Sequence, residues 1–369
     1  MERVDHRSLA PGGALSAPLK FAVIGTGFFA QNHLHAWAEI PDVELVAVCD
    51  TDPERLAAAA RDFGGTPYSD ARELFANEEL DFVDIATTPP THPMMVHLAA
   101  EHGVAAICQK PLAWDIEDAK AMVAAMAEAD LPFMVHENFR FQHPMRRIKE
   151  ILDSGAIGRP FFGRFSFRSF HDCYSAQPWL LDSERMIIVD VAVHLFDLAR
   201  FFLGEPESLY AEALRVNPRI SGEDVATVMM RMPGATAIAD ASYETFADHS
   251  TYPQTFVTLE GTKGVITLGQ DYRLQVVSHT VDVGDSAARM SGAVVLDEDL
   301  VIPDHSWTSV PWNGIQDSVV TLQRHWVECL RTGRTPETSG ADTLRTMDLT
   351  LGAYESLETG LPYRVGSAL

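Results

Sequence analysis

At 369 residues the chain is long enough for two domains and an ample core, and 46% hydrophobic with 22% charged residues is an ordinary globular composition. A formal net charge of −24 excludes nucleic acid and an anionic membrane surface as partners. The four cysteines lie far apart without a CxxC pair, which excludes a zinc ribbon and predicts free thiols in a reducing, cytoplasmic setting. No apolar run reaches the roughly 20 residues of a membrane span. Residues 1–18 lack an apolar centre and are expected to be a disordered lead-in, not a signal peptide.

From residue 21 to about Asn138, short apolar runs alternate with helical patterns. Strands are expected at 21–24, 43–49, 82–86, 105–108 and 133–135, with helices near 28–39, 54–63, 70–75, 93–101 and 115–129. Asp52-Pro53-Glu54 supplies an N-cap, a first-turn proline and a first-turn acid. Such alternation predicts an α/β domain over residues 19–143 with a doubly wound parallel sheet, whose ligands bind at the carboxyl ends of its strands.

The first of those ends is the most telling. The apolar run closes on Gly25-Thr26-Gly27-Phe28-Phe29-Ala30 and a helix follows at once, the geometry that sets a pyrophosphate over unpaired N–H groups. Gly25 permits the turn, Gly27 lets the backbone approach phosphate, and Ala30 is the third small position. Asp50, ending the second strand, is placed for an adenosine ribose hydroxyl, which favours NAD; Arg55 within reach of a 2′-phosphate leaves NADP open. The later strand ends carry Thr87-Thr88-Pro89-Pro90 with His92, Gln109-Lys110-Pro111, and Glu137-Asn138-Phe139-Arg140.

Beyond a helix at about 144–152 the pattern changes. Arg159–Phe170 alternates, 189–202 is helical, and 209–277 gives successive strand-length runs turned at Pro233-Gly234 and Gly261-Thr262-Lys263-Gly264. Residues 144–369 are therefore expected to form an α+β domain with an open, mostly antiparallel sheet and one covering helix. Asp282–Asp304 reads as a loop, and 315–331 and 341–358 as closing helices free to pack back on the first domain.

Two sets of residues carry chemistry. Lys110, at a strand end and before a proline, is held extended and can polarise a substrate oxygen; the alternative is a surface lysine. Asp190, His194 and Asp197 are spaced to share one helix face, where a carboxylate a turn away could fix the His194 tautomer for a general base. A core histidine and a divalent-metal site are the competing readings, but no further His/Asp cluster completes a metal site, so none is expected. Asn138, Arg140, Arg168, His171, Tyr174 and Trp179 suit a polyol, with packing or a loop as the alternative for Trp179 and His171. His33, His35, Met94 and Met95 read as helix surface or packing.

Taken together, Gly25-x-Gly27-x-x-Ala30, Thr88-Pro89-Pro90-x-His92, Gln109-Lys110-Pro111, Asp190-x-x-x-His194-x-x-Asp197, Pro336-Glu337-Thr338-Ser339-Gly340-x-Asp342 and Ala353-Tyr354-Glu355-Ser356 resemble the glucose–fructose oxidoreductase / inositol dehydrogenase / MocA family, from about Lys20 to Tyr363. The resemblance implies a Rossmann domain followed by a sheet domain whose outer face makes a homo-oligomer. It also implies Lys110, Asp190 and His194 as the catalytic lysine, aspartate and histidine: His194 takes a hydroxyl proton while hydride leaves for NAD, Lys110 polarises the oxygen, and Asp190 orients Lys110 or the hydroxyl. Gln109 stands where the family commonly has Glu, and Ile187, Ile188, Val189 and Ala192 stand where it has glycines around the aspartate. Gln109-Lys110-Pro111, His136–Gln142 and Gly222–Met230 are similar to the family's D-apiose dehydrogenases, which oxidise a branched aldose to its lactone. The resemblance implies an NAD-dependent sugar or polyol dehydrogenase. A dinucleotide-binding sensor, and an enzyme that retains NAD for elimination or glycoside cleavage, are the alternatives.

Overall fold

The computed structural model describes residues 17–170, 172–175, 177–246, 253–279 and 293–369, so most of the expected lead-in and His171 lie outside the described residues. The chain divides into two compact units, one of Met1–Ala113, Asp118–His136 and Val320–Asp342, the other of Trp114–Glu117, Glu137–Val319 and Thr343–Leu369. Among the described residues no helix is long and apolar enough to cross a membrane.

The first unit runs β1 (Leu19–Ile24), α1 (Ala30–Ala38), β2 (Val43–Cys49), α2 (Pro53–Phe63), β3 (Thr66–Tyr68), α3 (Ala71–Asn77), β4 (Phe82–Ile85), α4 (His92–Glu101), β5 (Ala105–Gln109), α5 (Ile116–Glu128) and β6 (Phe133–His136). Its six parallel strands are ordered β3-β2-β1-β4-β5-β6, so the sheet reverses direction of growth between β1 and β4. The expected N-cap forms: Asp52 Oδ1 accepts from Glu54 N and Arg55 N at 2.9 and 3.1 Å. β3 has no counterpart in the sequence reading. It is three residues long with Pro67 at its centre, and a proline is tolerated because β3 is an edge strand paired to β2 alone.

Helices on both faces bury β4 completely. Phe82 stacks on Phe21 at 5.0 Å, with Trp37 tilted at 5.2 Å and Trp326 edge-on at 6.1 Å. Trp326 belongs to α8 (Asn313–Thr332), whose residues from Val320 on are in this unit. At the opposite edge, Val135 N donates to Thr338 O at 2.8 Å and Thr338 Oγ1 to Val135 O at 2.7 Å, so the segment after α8 covers the open side of β6.

In the second unit, α6 (His143–Asp153) leads into β7 (Pro160–Arg168). A π-helical turn (Ile188–Ala192) continues as α7 (Val193–Leu203), and β8 (Ser208–Leu214), β9 (Val225–Met232), β10 (Ala235–Ser242), β11 (Phe256–Gly261), β12 (Gly264–Leu268), β13 (Arg273–His279), β14 (Ala293–Asp299), α9 (Gly340–Thr359) and β15 (Tyr363–Arg364) follow. The nine-stranded sheet is ordered β14-β13-β12-β11-β7-β10-β9-β8-β15 and is antiparallel except where β7 meets β10. α7 covers β7 and β10 closely. A Cβ on Gly163 of β7 would stand 2.7 Å from Leu203 Cδ1, and Phe165 stacks on Phe202 at 5.8 Å.

One expectation needs correcting. Within the stretch read as a loop, residues 293–299 are β14, paired along its length with β13. The acids Asp297, Glu298 and Asp299 hid the strand, but on an edge they remain hydrated, and Asp297 takes the Arg273 guanidinium at 2.6 and 2.8 Å. Residues 282–292 of that stretch lie outside the described residues.

Candidate active site

The glycine turn sits at the carboxyl end of β1. Gly25 has φ +92°, and a Cβ there would meet the backbone of Ala86 and Thr87 at 2.7 Å, so only glycine lets the β1 and β4 ends close together. Gly27 is different: a Cβ would find only Arg55 Nη1, at 3.8 Å, which leaves open space before α1. Thr26 is buried, and its N and Oγ1 each donate to Asp50 Oδ2 at 2.8 Å, while Asp52 N donates to Oδ1 at 2.9 Å. Asp50 thus ties the end of β2 to the turn. Arg55 lies 3.7 Å from Asp50 and 3.4 Å from Asp52. Phe28 is exposed, Phe29 sets its edge against His33, and Ala30 is buried.

Lys110 lies where β5 ends, before a cis peptide to Pro111. His92 holds that turn: its Nδ1 is 3.1 Å from the carbonyls of Pro111 and Leu112, its Nε2 is 3.1 Å from Thr87 O, and the ring is fully buried. Both ring nitrogens therefore meet backbone, and burial pulls the His92 pKa down. Thr91 Oγ1 donates to Thr87 Oγ1 at 2.8 Å, whereas Thr88 is exposed and Pro89 half-buried. Gln109 Oε1 accepts from Lys110 N at 2.6 Å and its Nε2 donates to His33 Nε2 at 3.0 Å. His33 in turn meets the fully buried Asp84 through Nδ1 at 2.9 Å, and Trp37 Nε1 donates to the same carboxylate at 2.7 Å. His33 is core, as expected; the amide at position 109 extends its network to Lys110.

In the second unit the expected Asp190–His194–Asp197 face breaks into three separate pairings. Residues 188–192 form a π turn, so Asp190 lies in that turn while His194 and Asp197 lie in α7, and each of the three has its own partner. Asp190 Oδ2 accepts from Tyr243 Oη at 2.8 Å. Asp197 takes Arg140, whose Nε donates to Oδ2 at 2.7 Å and whose Nη2 bonds Oδ1. Burial, foremost, raises the Asp197 pKa, against the lowering effect of Arg140. His194, 4% exposed, turns Nδ1 to the Glu137 carboxylate at 2.6 and 2.7 Å, and the ring lies parallel to Phe139 at 3.8 Å. No partner for His194 Nε2 occurs among the described residues.

The other residues read as substrate contacts are scattered. Asn138 is 3% exposed and donates to Ser318 Oγ at 2.7 Å. Arg140 is buried against Asp197, Arg168 is 3.6 Å from Asp240, Tyr174 is buried and Trp179 is 45% exposed. The sequence reading gave no role to Glu137 or Tyr243. Glu137 carried a signal, as an acid at a parallel strand's carboxyl end; Tyr243 carried none, because the approach of β10 to the π turn brings it to Asp190. Among the described residues no group of three His, Cys, Asp or Glu side chains is arranged to hold a metal ion.

Comparison with known proteins finds relatives along nearly the whole chain. Residues 19–137 match the GFO/IDH/MocA oxidoreductase family, NAD-binding Rossmann fold, and residues 145–267 match the GFO/IDH/MocA C-terminal domain. The chain is 46% identical over 354 residues to a D-apiose dehydrogenase of Rhizobium rhizogenes, covering 95% of this chain and 99% of that one. It is 47% identical over 343 residues to a D-apiose dehydrogenase of Paraburkholderia graminis, covering 92% and 88%. A crystal structure of an oxidoreductase from Agrobacterium radiobacter in complex with NAD+, L-tartaric acid and magnesium superposes with a TM-score of 0.90 at 46% identity, covering 96% of this chain and all of that one.

Proposed function

The chain belongs to the GFO/IDH/MocA oxidoreductase family, and we propose that it oxidises a sugar hydroxyl, with D-apiose and its oxidation to the lactone as the first candidate. The observation that carries the reading is His194: a buried imidazole with a carboxylate on Nδ1 and Nε2 left to receive a proton.

The first unit fits a dinucleotide. Gly25, Thr26, Gly27, Phe28 and Phe29 would hold the pyrophosphate in the open space before α1, Asp50 the ribose, and Thr87, Thr88, Pro89 and Gln109 the nicotinamide end, with His92 bracing the loop; Asn138, the remaining cofactor candidate, belongs to the second unit. Bound there, NAD supplies the hydride acceptor. His194 Nε2 takes the hydroxyl proton as the C–O bond becomes C=O. Lys110 donates a hydrogen bond to that oxygen and stabilises its developing negative charge. Asp190, steadied by Tyr243, orients the hydroxyl. Asn138 and Arg168 offer polar contacts, Trp179 an exposed ring face, and Arg140 acts by holding Asp197.

The first compact unit would take the cofactor and the second the substrate and partner copies, which moves the expected boundary from residue 143 to 136 and gives residues 320–342 to the cofactor side. Copies associate through the outer face of the nine-stranded sheet, where Met229 of β9 is 51% exposed; four buried free cysteines suit the cytoplasm.

The test is NADH formation from NAD across a panel of aldoses and polyols that includes D-apiose. Lys110→Ala should lower kcat by about 100-fold or more and leave NAD affinity unchanged. Absence of NADH with every sugar, despite NAD binding, would overturn the reading in favour of a sensor or an enzyme that recycles its cofactor.

A further inference from the structure

We propose that Glu137 is the positioning residue that makes His194 a base, in place of either aspartate on the histidine's own helix. The inference rests on the dehydrogenase reading only for the identity of the proton His194 accepts; the dyad is a property of the second unit.

The two aspartates are committed elsewhere. Asp197 carries Arg140 on both oxygens, with Arg200 3.8 Å from Oδ1, and Asp190 carries the Tyr243 hydroxyl. Among the described residues Glu137 alone bonds the imidazole, with both oxygens within 2.7 Å of Nδ1. A carboxylate only accepts, so Nδ1 carries the ring proton and Nε2 presents its lone pair. The local fold holds this arrangement rigidly. Phe139 N donates to Glu137 Oε1 at 3.1 Å, and the Phe139 ring lies within 3° of parallel to the imidazole, so residues 137–139 grip both the edge and the face of His194. Glu137 and His194 side chains are 4% and 5% exposed, and so little solvent weakens the pair. When Nε2 takes a proton, the imidazolium is formed against a negative charge already in place. Among the described residues the ionisable groups around the dyad are Arg140 on the Glu137 segment, Asp190, Asp197 and Arg200 along the π turn and α7, and Tyr243 just past β10.

Two readouts test this. The first is independent of turnover: in protein labelled with 15N-histidine, the signal absent from His194→Ala should report Nδ1–H and an unprotonated Nε2. An Nε2–H tautomer would overturn the proposal whatever the kinetics show. Conversely, the Nδ1–H signal in a protein that makes no NADH would uphold the dyad and sink the dehydrogenase reading. The second readout compares Glu137→Gln with Glu137→Asp. Glutamine keeps the size but loses the charge, and its amide can donate to Nδ1 and impose the wrong tautomer. It should cost kcat about 100-fold or more, change KM by less than about 3-fold, and move the acidic limb of the kcat–pH profile to lower pH. Aspartate, shorter yet charged, should retain more activity than glutamine. A role in packing alone predicts the reverse order and an unmoved limb, and that result would overturn the proposal.

Discussion

The two units each bury a histidine in the same way, and the contrast lies at the far nitrogen. His33 has Asp84 on Nδ1, a parallel ring (His136) at 3.9 Å, and Gln109 on Nε2. His194 has Glu137 on Nδ1, a parallel ring (Phe139) at 3.8 Å, and no partner for Nε2 among the described residues. A buried carboxylate on one nitrogen therefore does not distinguish a structural histidine from a base. Saturation of the second nitrogen separates the two: His33 is bonded at both nitrogens, whereas in the proposed reaction His194 keeps a lone pair to take a proton.

The largest expected effect comes from exchanging the two losses. His194→Ala and His33→Ala each strip a buried carboxylate, Glu137 or Asp84, of a partner and should each cost about 3 kcal/mol of stability. Activity separates them: kcat of the folded enzyme should fall about 1000-fold or more in His194→Ala and stay within about tenfold in His33→Ala. Urea melts alongside NADH rates decide this, and a His33→Ala enzyme that melts normally but does not turn over would erase the distinction.

A smaller effect should appear in the pH dependence of stability. His136 is fully buried, neither of its ring nitrogens has a hydrogen-bond partner among the described residues, and burial first, His33 second, hold its pKa well below the usual 6.5. The unfolded chain takes up that proton near pH 6.5 and the folded chain does not. Stability is thus full above that pH and lost below it, by about 1.4 kcal/mol per pH unit for each such histidine. His136→Phe, which gives His33 the same kind of neighbour that His194 has, should flatten urea-derived stability between about pH 6.5 and 5. Equal slopes in the two proteins would show that His136 is not held neutral. The smallest effect is expected of Tyr243→Phe, which frees Asp190 from its hydroxyl at a cost of about 1 kcal/mol, or roughly fivefold in kcat. No change in kcat would place Asp190 outside the reaction.

The first unit was nearly all legible in the sequence. Parallel strands buried on both faces read as continuous apolar runs, and β2 was bounded to the residue at Val43–Cys49. The turn at Gly25 was equally plain, since a positive φ combined with a 2.7 Å approach admits only one residue type. β3 and β14 escaped notice because an edge strand needs neither length nor apolarity, only a partner. His194 was legible as a candidate, but its partner was not. Helical spacing pointed to Asp190 and Asp197, and a contact across 57 residues of sequence put Glu137 there instead.

By itself, then, the sequence determined the order of strands and helices, the glycine turn, and which residue types stand at the strand ends, because these follow from local periodicity and steric limits. Tertiary structure decided which carboxylate serves which cation. Burial makes such pairing obligatory, and the partner is set by which elements pack together, a relation that no local spacing encodes.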